Sequence, residues 1–125
     1  MLCQEGEPVL AEAARQGIAV HNAGSLASGL LAGGFTYAYN LAPPEMVALR
    51  DRWAALASKH DIELPIVAFA FAFAPAAVTH LVVGPVSPEQ LDDNLRWGAA
   101  VERVPSELWD EAKDVGLLAP HTCTP

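Results

Sequence analysis

Few residues of this 125-residue chain have the types and spacing to do chemistry, and most of them fall in two stretches. The first is Gly17 to Gly34, GIAVHNAGSLASGLLAGG. In it a short apolar run, Ile18-Ala19-Val20, leads into Gly24, Ser25, Leu26, Ser28 and Gly29. Glycine has no Cβ and tolerates φ > 0, so such a loop lets backbone approach a ligand closely. Parallel α/β sheets bind ligands at the C-terminal ends of their strands. An ordinary connection between a strand and a helix has the same composition, so the spacing alone leaves both readings open. The second stretch is VTHLVVGPVSPEQLDDN, Val78 to Asn94. Ser87, Pro88 and Gln90 have the pattern of a capped helix start. The free N–H groups and dipole of such a start can hold an anion.

Other chemistries lack their residues. No GxGxxG or GxxxxGK[ST] follows the first strand, so neither a dinucleotide fingerprint nor a P-loop is present. GxSxG is absent too, which leaves Ser25 and Ser28 without the setting of a hydrolase nucleophile. His21, His60, His80 and His121 form no HxxxH or HxH pair for a metal. His21 and His80 read as hydrogen-bonded strand histidines. Asp61, Glu63, Asp92 and Asp93 read as solvated charge.

The elements that must position these groups follow from periodicity and punctuation. Glu7 to Gln16 is expected to be a helix, with Pro8 in its first turn and Gly17 as its stop. Ile18 to His21 is expected to be a buried strand. Residues 24–44 form a long connection carrying Phe35, Tyr37, Tyr39 and Asn40, whose aromatics either line a pocket or pin the loop by burial. Pro44 to His60 is a helix with Met46, Leu49, Trp53 and Leu56 on one face, which puts Trp53 in the core. Pro65 to Ala74 is ambiguous: Phe69, Phe71 and Phe73 alternate as in a strand, but the intervening alanines favour helix. Val78 to Val83 is the second strand. Helices follow from Ser87 to about Gly98 and from Ser106 to Gly116.

Composition narrows the partners. A net charge of −8 with only two lysines argues against nucleic acid and against an anionic membrane surface. The most apolar segment, Ile66 to Val83, contains Pro75, Thr79 and His80, so no transmembrane helix is expected. MLCQEGEP lacks a basic region followed by an apolar core, so no signal peptide is expected. Cys3 and Cys123 read as free thiols of a cytoplasmic chain. Hydrophobic residues make up 52% of the sequence and the mean hydropathy is +0.24, both high for a free-standing domain. Much of this surface is expected to face something else.

Taken together, the two motifs resemble the C-terminal portion of an aldo-keto reductase, most nearly its sugar dehydrogenases acting on D-threo-aldoses such as L-fucose. GIAVHNAGSLASGLLAGG resembles the segment after the family's seventh barrel strand, and VTHLVVGPVSPEQLDDN its eighth strand and the helix that follows. The resemblance spans residues 4–120 and implies an α/β fold, namely the last strands and helices of a TIM-type (β/α)₈ barrel. It makes Pro65 to Ala74 helical. It implies NAD or NADP as cofactor and hydride transfer to or from a sugar or another small carbonyl compound. By position, Gly24, Ser25, Leu26, Ser28 and Gly29 surround the cofactor's pyrophosphate. Gly84, Pro85, Val86 and Ser87 hold the adenosine ribose, and Gln90 and Asn94 meet the adenine end.

The sequence departs from the family pattern at three places. Val86 and Ser87 offer no positive charge where many relatives carry a basic residue for the 2′-phosphate of NADP, which favours NAD. Ser25 stands where proline is frequent. The barrel needs roughly 250 residues, and the family's catalytic Asp, Tyr, Lys and His have no counterparts in this chain. The expectation is a cofactor-binding part, 1–120, with a disordered tail, 121–125, that is inactive alone. The alternative is a catalytically inactive fragment or interaction module. Two strands cannot close a barrel, so self-association through open strand edges is expected.

Overall fold

The computed structural model describes all 125 residues. Helix α1 spans Glu7–Arg15, and Gly17 ends it in the left-handed region at φ +68°. Strand β1 is Val20–Ala23, two residues later than expected. The amide of Ile18 is taken by the carbonyl of Ala13 at 2.9 Å, closing the end of α1. Ile18 is therefore exposed and belongs to the helix stop, not to the strand.

The connection that follows is more ordered than its composition suggests. A 3₁₀ turn at Leu30–Ala32 buries Leu30 and Leu31. Strands β2, Thr36–Tyr37, and β3, Asn40–Leu41, then pair as a short antiparallel hairpin. Ala38 and Tyr39 turn it with positive φ, as a tight hairpin requires. Phe35 and Tyr39 do not pin this loop by burial, being 77% and 95% exposed, whereas Tyr37 is half-buried. The leucines of the 3₁₀ turn do that work.

Helix α2 spans Pro44–Lys59 and buries Trp53, Leu56 and Ala57. Helix α3 spans Leu64–Phe73. Ile66 to Ala70 are all buried, so this helix is enclosed on nearly every side and shows no polar face. That explains why the alternation of Phe and Ala misleads. Phe69 meets Trp97 edge-on at 6.3 Å, and Phe71 lies 6.2 Å from Trp109. Strand β4 is Val78–Val82, helix α4 Pro88–Gly98, and helix α5 Ser106–Asp114.

The main core lies among α2, α3 and α5, around Trp53, Val67, Leu108, Trp109 and Leu117. A smaller cluster of Ile66, Phe69 and Trp97 joins α3 to α4. Strands β1 and β4 pair in parallel, as sequential strands of a β/α barrel do, with one face on α3. Asn22 marks that face, donating from Nδ2 to the carbonyl of Ala72 at 3.1 Å. The opposite face carries His21, Ala23, His80 and Val82, all exposed. Parallel sheets are normally covered on both faces. The mixed α/β arrangement is thus that of the C-terminal strands and helices of a barrel, with no closed barrel formed.

Residues 121–125, expected to be a disordered tail, form no helix or strand. Thr122 is nevertheless buried and donates to Oε1 of Gln4 at 3.1 Å. The amide of Cys123 donates to Glu7 at 2.8 Å. Both cysteines are free thiols, and that of Cys123 lies 3.6 Å from the carbonyl of Ala74. No helix is long and apolar enough to cross a membrane.

Candidate functional site

The C-terminal ends of β1 and β4 open into one cleft of about 870 Å³. The glycine-rich loop after β1 supplies Gly24, Ser25, Leu26, Ser28 and Gly29 to its wall. The loop after β4 supplies Gly84 and Pro85, and α4 supplies Gln90 and Asn94. Nine of the eleven residues singled out from sequence therefore border a single space.

Val86 and Ser87 do not line it. Val86 is 88% exposed. Ser87 caps α4, its Oγ accepting from the amide of Gln90 at 3.3 Å. Gln90 returns the contact one residue further back, its Oε1 accepting from the amide of Val86 at 3.0 Å. These two bonds fix the loop from Gly84 to Ser87 on the first turn of the helix. Of the four loop residues, only Gly84 and Pro85 reach the cleft.

The loop after β1 is held open by its own backbone. Gly24, Ala27, Ser28 and Gly29 all have φ between +51° and +93°. Left-handed backbone at Ala and Ser costs about 1 kcal/mol or more per residue and persists only where surrounding bonds impose it. Here Ala27 donates to the carbonyl of Gly24 at 2.8 Å, and Gly34 to that of Gly29 at 2.9 Å. Thr36 Oγ1 donates to the carbonyl of Ser28 at 2.6 Å. The amides of Ser25, Leu26 and Ser28 are left without a protein acceptor. Successive unpaired amides in such a loop make an anion-binding concavity.

The α4 side is fixed differently. Glu63, just before α3, accepts from Nε1 of Trp97 at 3.1 Å and from Arg96. The Arg96 bond, then that of Trp97, holds the Glu63 carboxyl below its usual range. Arg96 also donates to Asp93 at 3.0 Å. This network sets the rotation of α4. Asn94 is 9% exposed, lines the cleft, and has no protein hydrogen-bond partner for its amide. Its polar atoms remain accessible, so the amide is free to hydrogen-bond a ligand.

Sequence reasoning missed three neighbours. Asp93, read as solvated charge, lines the cleft, as do Trp97 and the tip residue Tyr39. The helical spacing of Gln90, Asp93, Asn94 and Trp97 places all four along one side of α4 and was the available signal. No lysine or arginine lines the cleft. A second cleft of about 460 Å³ lies across the glycine-rich loop, between it, the first residues of the chain and α3.

Paired parallel strands backed by helices, with a cleft at their C-terminal ends, define part of a ligand-binding β/α barrel. The aldo/keto reductase family model matches residues 2–114, and the chain belongs to that family. It is 30% identical over 111 residues to a pyridoxal 4-dehydrogenase of Microbacterium luteolum, covering 86% of this chain and 32% of that protein. It is 35% identical over 99 residues to a D-threo-aldose 1-dehydrogenase of Pseudomonas sp, covering 79% of this chain and 30% of that protein. The chain thus spans about a third of the length of the curated relatives it matches. These relatives are oxidoreductases, and the family implies a nicotinamide cofactor.

Proposed function

We propose that this chain is the cofactor-binding C-terminal part of an NAD(P)-dependent oxidoreductase acting on an aldose or another small carbonyl or alcohol substrate. The observation that carries this reading is the pairing of two features on one cleft. The unpaired amides of Ser25, Leu26 and Ser28 suit the pyrophosphate, and the accessible, unpartnered side-chain amide of Asn94 suits the adenine. Gly84 and Pro85 border the ribose, and Gln90 stands beside them at the start of α4. When bound, the cofactor's nicotinamide accepts or donates the hydride. The residues of this chain bind and orient it and perform no proton transfer. Dehydrogenase activity of these 125 residues alone is not expected.

NAD is favoured over NADP. A 2′-phosphate needs a cation, and the cleft offers none. The unpaired edges of β1 and β4 support self-association of the isolated chain. Free thiols at Cys3 and Cys123 suit a cytoplasmic setting.

Calorimetric titration of the purified chain with NAD and with NADP tests this. Saturable binding with one site per chain and NAD tighter than NADP is expected. Asn94→Ala should weaken NAD by about three- to tenfold, the loss of one hydrogen bond. Absence of saturable binding by a folded chain would overturn the reading, and tighter NADP would overturn the cofactor preference.

A further inference from the structure

The bare face of the β1–β4 sheet carries two imidazoles that the cleft does not use. His21 and His80 are register partners on adjacent parallel strands. Both are exposed, and their ring centroids lie 4.7 Å apart with the planes tilted by 58°. Two imidazoles bound to one metal ion at about 2.0–2.1 Å per nitrogen place their ring centroids roughly 5 Å apart. Small side-chain rotations connect the observed arrangement to that one. The strand pairing, with a register irregularity between Val20 and His21, supplies the spacing.

A second feature points the same way. Nδ1 of His80 lies 3.0 Å from Oγ1 of Thr79. Metal-bound histidines characteristically engage their other ring nitrogen with a hydrogen-bond partner, which fixes tautomer and ring orientation. With Nδ1 engaged, Nε2 of His80 is the nitrogen for the metal. The neighbours on this face, Ala23 and Val82, carry no charge to compete.

We propose that His21 and His80 form a chelating site for a divalent transition-metal ion of the zinc, nickel and copper class. Imidazole selects this class over magnesium, calcium and manganese. With two protein ligands, water completes the coordination shell. Neither histidine lines the cleft, although Ala23 and Val82 beside them border it.

Ni²⁺ is the probe. It is titrated by calorimetry into the full chain carrying Cys3→Ser and Cys123→Ser, which removes the thiols as competing ligands. One equivalent is expected to bind. His21→Ala or His80→Ala should each weaken it about tenfold or more, and Thr79→Val several-fold. His60→Ala and His121→Ala should change nothing. Binding no tighter than in the His21→Ala/His80→Ala double variant would overturn the proposal. A measurement on the unsubstituted histidines guards against misfolding: substoichiometric Ni²⁺ should broaden the imidazole NMR signals of His21 and His80 first. Equal broadening of all four histidines would refute the site.

Discussion

Substituting Gly34 by alanine asks whether the glycine-rich loop is held by close backbone approach. A Cβ at Gly34 would sit 2.9 Å from the carbonyl oxygen of Gly29 and 3.2 Å from its carbonyl carbon. Ordinary contact begins near 3.4 Å, so the loop must give by about 0.5 Å. Both partners are backbone, and the same two residues are joined by the bond from the Gly34 amide to the Gly29 carbonyl. Overpacking of this kind costs about 2 kcal/mol, and losing the bond adds about 1 kcal/mol. Two other glycines separate the possible causes. Gly33 has open space for a Cβ but lies at φ +88°, so Gly33→Ala carries only conformational strain, about 1 kcal/mol. Gly98, at the end of α4, has open space and an ordinary φ, so Gly98→Ala should stabilise by about 0.4–1 kcal/mol. Urea unfolding followed by circular dichroism measures all three. With an m-value of about 1.5 kcal/mol/M, Gly34→Ala should lower the midpoint by well over 1 M. Gly98→Ala should raise it by about half that or less. A Gly34→Ala variant as stable as the parent would refute the close approach and the loop shape built on it.

The remaining predictions probe other parts of the chain. Ser87→Ala removes the cap on the Gln90 amide and should cost about 0.5–2 kcal/mol in the same unfolding assay. Trp53→Ala empties the centre of the main core and should cost about 3–5 kcal/mol, enough to abolish a cooperative thermal transition. The carboxyls of Glu63, held down first by Arg96, and Glu111, held down first by Lys59, titrate below the usual carboxylate value of 4.5. A depressed carboxylate stabilises above its unfolded pKa and loses that contribution as pH falls through its folded pKa. Urea midpoints should therefore hold steady down to about pH 4.5 and fall below it, and Glu63→Gln should flatten that fall. The effect is small, because both pairs are solvent-exposed.

The sequence was most legible where a local rule meets no competitor. Pro8, Pro44 and Pro88 stand at helix starts, and the Ser87 cap forms as its spacing requires. The cleft was legible as two loops, and the family resemblance placed them at the same end of neighbouring strands. Local rules failed where tertiary environment overrode them. In α3, burial on nearly every side removes the polar face by which a helix is recognised. At β1, the stop of α1 takes the amide of Ile18 and delays the strand. Asp93 and Trp97 were hidden for another reason: a helix position becomes a site position only once the opposing loop is in place. The partnership of His21 and His80 depends on strand register, which no spacing within either segment reveals.

We propose that the glycine-rich loop and the start of α4 form one dinucleotide site. Amide chemical-shift mapping of the ¹⁵N-labelled chain during titration with NAD tests it most directly. Saturable shifts are expected to concentrate at Gly24 to Gly29, at Gly84 and at Gln90 to Asn94, with the Asn94 side-chain amide among them. Shifts confined to the smaller cleft across the loop, around Cys3, Asn22 and Phe71, would contradict it, as would a folded chain whose spectrum NAD leaves unchanged.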